Sequence, residues 1–180
     1  MVSITPTIFL TIVIITTCYA HIDGGKAKTV ENILKLLVRL SGNKHELKDH
    51  VAFSASLSHD VKNNKVEHFK IIFDKIITNI GNGYNSKTGI FTVPCDGLYV
   101  FHWTILTFPG TVFNTELVVN GVSKRGNVAD AGGGKSWNSG SSMVTLPLHK
   151  NDQVWIRKWR TAGKSLHGNY WPGFSGFRLA

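Results

Sequence analysis

Cysteine is nearly absent from this chain, with only Cys18 and Cys95 in 180 residues. Cys18 falls in an N-terminal stretch, MVSITPTIFLTIVIITTCYA, that has no charged side chain. The apolar run there, Ile8 to Ile15, is shorter than the ~20 residues a spanning helix requires. Cys18 and Ala20 put small residues at the −3 and −1 positions of a cleavage site. Residues 1–20 are therefore expected to be a secretory signal peptide. An uncleaved anchor is the alternative, and either one places the remainder outside the cytosol, with no membrane insertion expected of it. With the signal removed, only Cys95 is left. An intrachain disulfide is then excluded, and core burial or association has to hold the fold.

Acidic side chains are scarce as well. Eleven Asp and Glu face twenty Lys and Arg, a net charge of +9. An exported protein this basic suits anionic surfaces such as acidic glycans, lipopolysaccharide or phosphate-rich cell walls, and export argues against nucleic acid as the partner. Motifs that carry chemistry are missing too. There is no P-loop, no G-x-S-x-G and no H-E-x-x-H, and Asp96, Asp130 and Asp152 stand apart rather than in Asp-x-Asp spacing. Catalysis and a bound cofactor are not expected. No Gly-X-Y repeat occurs, so no collagen stalk is encoded.

What is present begins with a short leader, residues 21–29, and then a heptad pattern over 30–51, VENILKLLVRLSGNKHELKDHV. With Val30 at position a, the a and d sites are Val30, Ile33, Leu37, Leu40, Lys44, Leu47 and Val51. That seam predicts a helix, and a coiled coil between copies is favoured by its regularity. Ser41-Gly42-Asn43 interrupts it, and an amphipathic helix packed on its own domain is the alternative.

From residue 51 the helical period stops. Apolar and β-branched runs near 51–57, 69–77, 89–93, 97–108, 113–119, 141–146, 153–159 and 174–179 are separated by Gly- and Asn-rich turns, Asn120-Gly121 among them. Such spacing predicts an all-β sandwich of jelly-roll type. The run GLYVFHW at 97–103 is apolar on both of its alternating faces, so each face needs a cover.

The aromatic spacing is specific. Phe73 is followed after five residues by Asn79, after four more by Tyr84, after six by Phe91, and after five by Gly97-Leu98-Tyr99-Val100-Phe101. Upstream stands Ala52-Phe53-Ser54-Ala55; downstream come Asn151-Asp152-Gln153-Val154 and Phe174-Ser175-Gly176-Phe177. This order resembles the signature of the C1q globular-head family over about 130 residues. Trp103 stands where that family has Phe or Tyr, and Asn151 where it has Gly, a place Asn tolerates because it enters left-handed backbone more readily than most residues. The resemblance implies a C1q and tumour-necrosis-factor-like jelly roll of about ten strands over residues 51–180, preceded by the short helix. It also implies a homotrimer, as in short invertebrate members lacking collagen, and a lectin-like role in innate immunity. Calcium at a trimer axis, known in some members, stays open. Phe73, Phe91, Tyr99, Phe101, Phe174 and Phe177 are expected in the core; trimer neighbours would cover the second face of 97–103.

Two stretches read as poor in strand and rich in cations and aromatics. Residues 120–139 carry Lys124, Arg125, Lys135 and Trp137; residues 157–171 carry Arg157, Lys158, Arg160, Lys164, His167, Tyr170 and Trp171, with Trp159 between. Cations suit carboxylate or phosphate groups and aromatic rings suit the apolar face of a sugar. These residues are the candidates for binding acidic glycans such as sialic acid, or lipopolysaccharide. A solvated basic loop with structural aromatics, Trp159 and Trp171 foremost, is the alternative. Other secreted roles, a ligand for a host receptor or a matrix component, fit the same module.

Overall fold

In the computed structural model of the chain, residues 32–33, 50–62, 65–159, 163 and 165–180 are described. The expected signal peptide (residues 1–20), the leader and the heptad segment lie outside them, save for the helical pair Asn32–Ile33 and the final residues 50–51. Arg160 and Lys164 also lie outside.

The described residues form ten strands: β1 (Ala52–Ser56), β2 (Lys75–Ile80), β3 (Tyr84–Asn85), β4 (Ile90–Thr92), β5 (Gly97–Thr107), β6 (Val112–Val119), β7 (Val122–Asp130), β8 (Asn138–Leu148), β9 (Gln153–Lys158) and β10 (Gly173–Arg178). They make two five-stranded antiparallel sheets, ordered β2-β1-β10-β5-β8 and β3-β4-β9-β6-β7. The expected jelly roll is thus the observed one.

The signature residues fill the space between the sheets. Phe53, Phe73, Phe91, Tyr99, Phe101, Trp103 and Phe174 are all buried. Phe53 stacks on Tyr84 at 4.8 Å and meets Phe174 edge-on at 4.8 Å, while Phe91 meets Phe101 at 5.7 Å. Such pairs add ~0.5–1.5 kcal/mol each beyond area burial. The polar tips of the buried aromatics are matched. Trp103 Nε1 donates to Thr115 Oγ1 at 3.0 Å across the sheets, the Tyr84 hydroxyl donates to the Phe73 carbonyl at 3.0 Å, and that of Tyr99 to the Cys95 carbonyl at 2.8 Å. Burial pushes the Tyr99 phenol up to about 12. Asn79 closes the turn before Tyr84 by accepting from its N–H at 3.1 Å and donating to its carbonyl at 2.9 Å. Asn151 takes φ 73, the left-handed conformation expected of a glycine substitute. Asp152 then accepts from the His149 N–H and from Asn120 Nδ2, both at 2.8 Å, and the first of these does most to hold its carboxyl below the usual range.

Three expectations need correction. Residues 122–130, read as loop, form the full-length edge strand β7, paired along β6. Residues 69–71 do not extend β2; they cross to the other sheet, where the Ile71 N–H donates to the Ile156 carbonyl. Phe177 is not core but 46% exposed. It lies three positions after the buried Phe174, and an odd offset along a strand points the two rings to opposite faces.

That outward face resolves the two greasy sides of 97–103. Tyr99, Phe101 and Trp103 point in, while Val100 and His102 point out. Two outward rows cross the sheet in register: Ile80, Ala52, Phe177, Val100, Thr145, and beside it Thr78, Ser54, Ser175, His102, Met143. Phe177 and Met143 are exposed on it.

Candidate recognition surface

The loops β1–β2, β5–β6, β7–β8 and β9–β10 meet at one end of the sandwich. The opposite end holds Val51 beside Arg178, whose N–H donates to the Val51 carbonyl at 2.9 Å. At the loop end, Trp137 of the β7–β8 loop lies 4.4 Å from His167 of the β9–β10 loop, centroid to centroid, and both rings pack on Phe108 at 4.9 and 5.3 Å. Asp60 ties the loops together. Its Oδ1 accepts from the Gly168 N–H at 2.9 Å and stands 2.9 Å from His167 Nδ1, a contact too far out of line to be a hydrogen bond, while Oδ2 lies 3.3 Å from Lys62 Nζ. The Gly168 N–H, above all, holds the Asp60 carboxyl below the ordinary carboxylate range, with Lys62 and His167 assisting.

The β9–β10 loop ends on two consecutive non-glycine residues with positive φ, Asn169 at 50° and Tyr170 at 66°. A bulky residue held there costs ~1–3 kcal/mol and persists only where its surroundings impose it. Here the Tyr170 N–H is fixed to the Leu57 carbonyl at 2.9 Å. Trp171 follows and is 70% exposed. Its ring stands in solvent rather than anchoring the loop as the structural alternative would have it. Tyr170 and Lys135 are exposed at the same end.

The other candidates are placed differently. Lys124 and Arg125 lie on strand β7, and Arg125 Nε donates to Ser142 Oγ of β8 at 3.2 Å. Arg157 is half-buried, its Nε donating to Glu116 Oε1 at 2.6 Å, with His68 Nδ1 3.6 Å from the same oxygen. Lys158 is fully buried and so off the surface. It points inward because β9 alternates, with Val154 and Ile156 on the same side. Burial pushes its ammonium down, opposed by Glu67. The structure therefore gathers Lys135, Trp137, His167, Tyr170 and Trp171 at one end and separates Lys124, Arg125, Arg157 and Lys158 from them. Phe108 and Asp60, which complete the aromatic cluster, were not singled out by sequence, nor were Asn114 and Asn127, which sit inside strands with no distinguishing local pattern.

A cavity of about 570 Å³ opens where β6, β7 and β8 meet, its lining including Asn114, Glu116, Arg125, Asn127, Ser142 and Trp159. Among the described residues no three His, Cys, Asp or Glu side chains converge as a metal site would require, and no helix is long and apolar enough to cross a membrane.

Relatives match the β region. Caprin-2 of Danio rerio is 31% identical over 134 residues, 72% of this chain but 14% of that protein. Complement C1q tumor necrosis factor-related protein 3 of Mus musculus is 33% identical over 132 residues, 72% of this chain and 51% of that protein. The chain thus spans about half or less of the relatives it matches. Among solved structures, the globular domain of zebrafish complement 1qA protein superposes with a TM-score of 0.54 at 20% identity, over 72% of this chain and 98% of that one. Murine APRIL at pH 8.0 gives 0.57 at 15% identity over 73% of this chain and 100% of its own. Eiger TNF from S. frugiperda gives 0.57 at 15% over 73% and 93%. These likenesses establish a shared fold. With the buried aromatic signature, the two-sheet topology and a family profile for the C1q domain matching residues 52–179, the chain belongs to the C1q domain family.

Proposed function

We propose that this chain is a secreted, non-catalytic recognition protein that binds carbohydrate or microbial surfaces as a homotrimer, in an innate-immune role. The observation that carries the reading is the gathering of Trp137, His167, Tyr170, Trp171 and Lys135 at one end of the sandwich. Exposed indole and phenol rings offer flat apolar faces to sugar rings, and the net charge of +9 draws acidic glycans and lipopolysaccharide toward them. Support for the trimer comes from the outward face of β10 and β5, where Phe177 and Val100 stand in register on a surface that association would cover. A single weak sugar site gains roughly 10²–10⁴ in avidity when several engage one surface together, which gives the trimer a purpose beyond stability.

The test is a glycan-array screen of the purified protein at low and high salt, with molar mass by light scattering on the same sample. Trimer mass with selective retention of acidic or microbial glycans is expected. Saturable binding to host cells that free sugars do not compete, with no glycan retained, would overturn this reading in favour of a receptor ligand. Uniform retention on polymer or mineral, without sugar selectivity, would identify a matrix component.

A further inference from the structure

The outward face of the β2-β1-β10-β5-β8 sheet carries almost no ionisable group. Its rows follow from the register. Leu98 faces Pro147; next come Ile80, Ala52, Phe177, Val100 and Thr145; then Thr78, Ser54, Ser175, His102 and Met143; then Lys75, Ser56, Gly173, Thr104 and Ser141. His102 is exposed there. Ser175 of β10 and Met143 of β8 flank it, Val100 and Thr104 stand before and after it on β5, and Phe177, Gly173, Thr145 and Ser141 lie on its diagonals. None of these can be charged. Lys75 is one row on and at the far edge of the sheet, on β2. Arg178 pairs with the inward Tyr99 and leaves on the other side, and the Ala180 carbonyl is taken by the Leu98 N–H two rows away.

A second copy seated on this face has no free acid to offer that imidazole. Asp60, Asp74 and Asp96 accept from the N–H groups of Gly168, Ser58 and Lys150, and Asp130 and Asp152 from those of Gly132 and His149. Glu116 is paired with Arg157, and the charge of Glu67 acts on the buried Lys158. Every Asp and Glu of residues 50–180 is thus engaged within its own chain. With a net charge of +9 on each copy, a protonated His102 in the contact meets repulsion and no counterion.

We infer that His102 makes association of this chain acid-sensitive: the trimer holds while the covered imidazole is neutral and comes apart when it takes a proton. The inference rests on the trimer reading above and adds its regulation. An exposed imidazole takes its proton near pH ~6.5, whereas burial disfavours the charged form. The separate protomer therefore binds a proton that the trimer does not, and association weakens as pH falls through the free value. Between about pH 7.5 and about pH 5 this linkage amounts to roughly 30-fold per copy, or roughly 10⁴ in the dissociation constant of a trimer. Avidity of roughly 10²–10⁴ goes with it, so a surface held at neutral pH is released in acid.

Sedimentation equilibrium of the full protein at about pH 7.5 and about pH 5, at one ionic strength and with circular dichroism on the same samples, tests it. The wild type is expected to fall from trimer toward monomer mass in acid with its β spectrum unchanged. His102→Gln keeps a polar side chain and loses the proton site; its dissociation constant should move less than about threefold between the two conditions. His102→Lys is charged throughout and should be a folded monomer in both. Position 102 is exposed, so neither change should disturb the fold of the protomer. Trimer mass kept by the wild type in acid would overturn the inference, as would trimer mass in His102→Lys. So would acid dissociation of His102→Gln equal to the wild type's, which assigns the proton to another group, or loss of the β spectrum in acid, which makes dissociation a consequence of unfolding. Each of these leaves the neutral-pH association of the wild type standing. Monomer mass of the wild type in both conditions would take the trimer down with the inference, and the glycan array then judges recognition separately.

Discussion

At Gly176 a side chain has nowhere to go. A Cβ built there falls 2.5 Å from Phe101 Cδ1 and 2.7 Å from Phe53 Cε1, inside the stack of rings between the sheets. Gly176→Ala therefore forces both rings from their positions and should destabilise the domain by about 1–3 kcal/mol, read as a lower urea midpoint at unchanged slope. A smaller loss is expected at Tyr84, whose hydroxyl satisfies the buried Phe73 carbonyl. Tyr84→Phe keeps the stacking on Phe53 and leaves that carbonyl unmatched, costing ~1–3 kcal/mol in the same assay. Both positions belong to the spaced aromatic and glycine pattern, and the pattern was readable because Phe53, Tyr84, Phe91, Phe101, Phe174 and Gly176 meet one another in the core. Phe177 shows the limit of such reading. Its place in Phe174-Ser175-Gly176-Phe177 suggested a sixth core aromatic, but the alternation of a strand sends it outward, and only pairing with Val100 reveals which face it joins.

One carboxylate fastens Gly168 of the β9–β10 loop, and acid should release that contact. Asp60 accepts from the Gly168 N–H, which chiefly holds its folded-state pKa below the ordinary value; the unfolded reference is ~3.9. A depressed carboxyl stabilises the fold above the unfolded pKa and loses that contribution as pH falls through the lower folded one. The protection factor of the Gly168 amide, its exchange rate relative to the intrinsic rate at each pH, should then fall below about pH 4 while amides of β5 and β10 stay protected. In Asp60→Asn, which removes the charge but not the side-chain carbonyl, that amide should already exchange roughly tenfold faster at neutral pH, and its acid step should vanish. Hydrogen-exchange NMR resolves both outcomes. At this scale the sequence was a partial guide. Apolar alternation marked the inner strands, but β7 carries Lys124 and Arg125 along a sheet edge, where charge guards an exposed ladder and erases the period. The loop residues Trp137 and His167 stood out by type, yet their contact joins parts of the chain thirty residues apart, and the β region gave no local sign of it. Asn114 and Asn127 were invisible for the same reason: an amide inside a strand declares itself only when its partners can be counted.

One face of the molecule is still to be covered. Alternation along β5 tells which side chains leave the core, but no pattern within one chain tells what lies over them. Phe177 and Val100, with Ala52 and Ile80 in the same cross-strand row, form the apolar surface that the proposed trimer would bury. Phe177→Asp tests this. As the ring is 46% exposed and outside the core, the substitution should change the stability of an isolated domain by no more than about 0.5 kcal/mol. In a trimer it would place three carboxylates in apolar contacts, where an unpaired buried charge is strongly unfavourable. Light scattering should fall from trimer to monomer mass while circular dichroism and the single-domain unfolding transition are retained. Glycan affinity measured on immobilised single sugars should hold, whereas retention on dense glycan surfaces should drop by roughly the 10²–10⁴ that linkage supplies. A variant that keeps trimer mass would show that copies meet through another face, and a variant that unfolds as it dissociates would show that the sandwich depends on its neighbours for more than avidity.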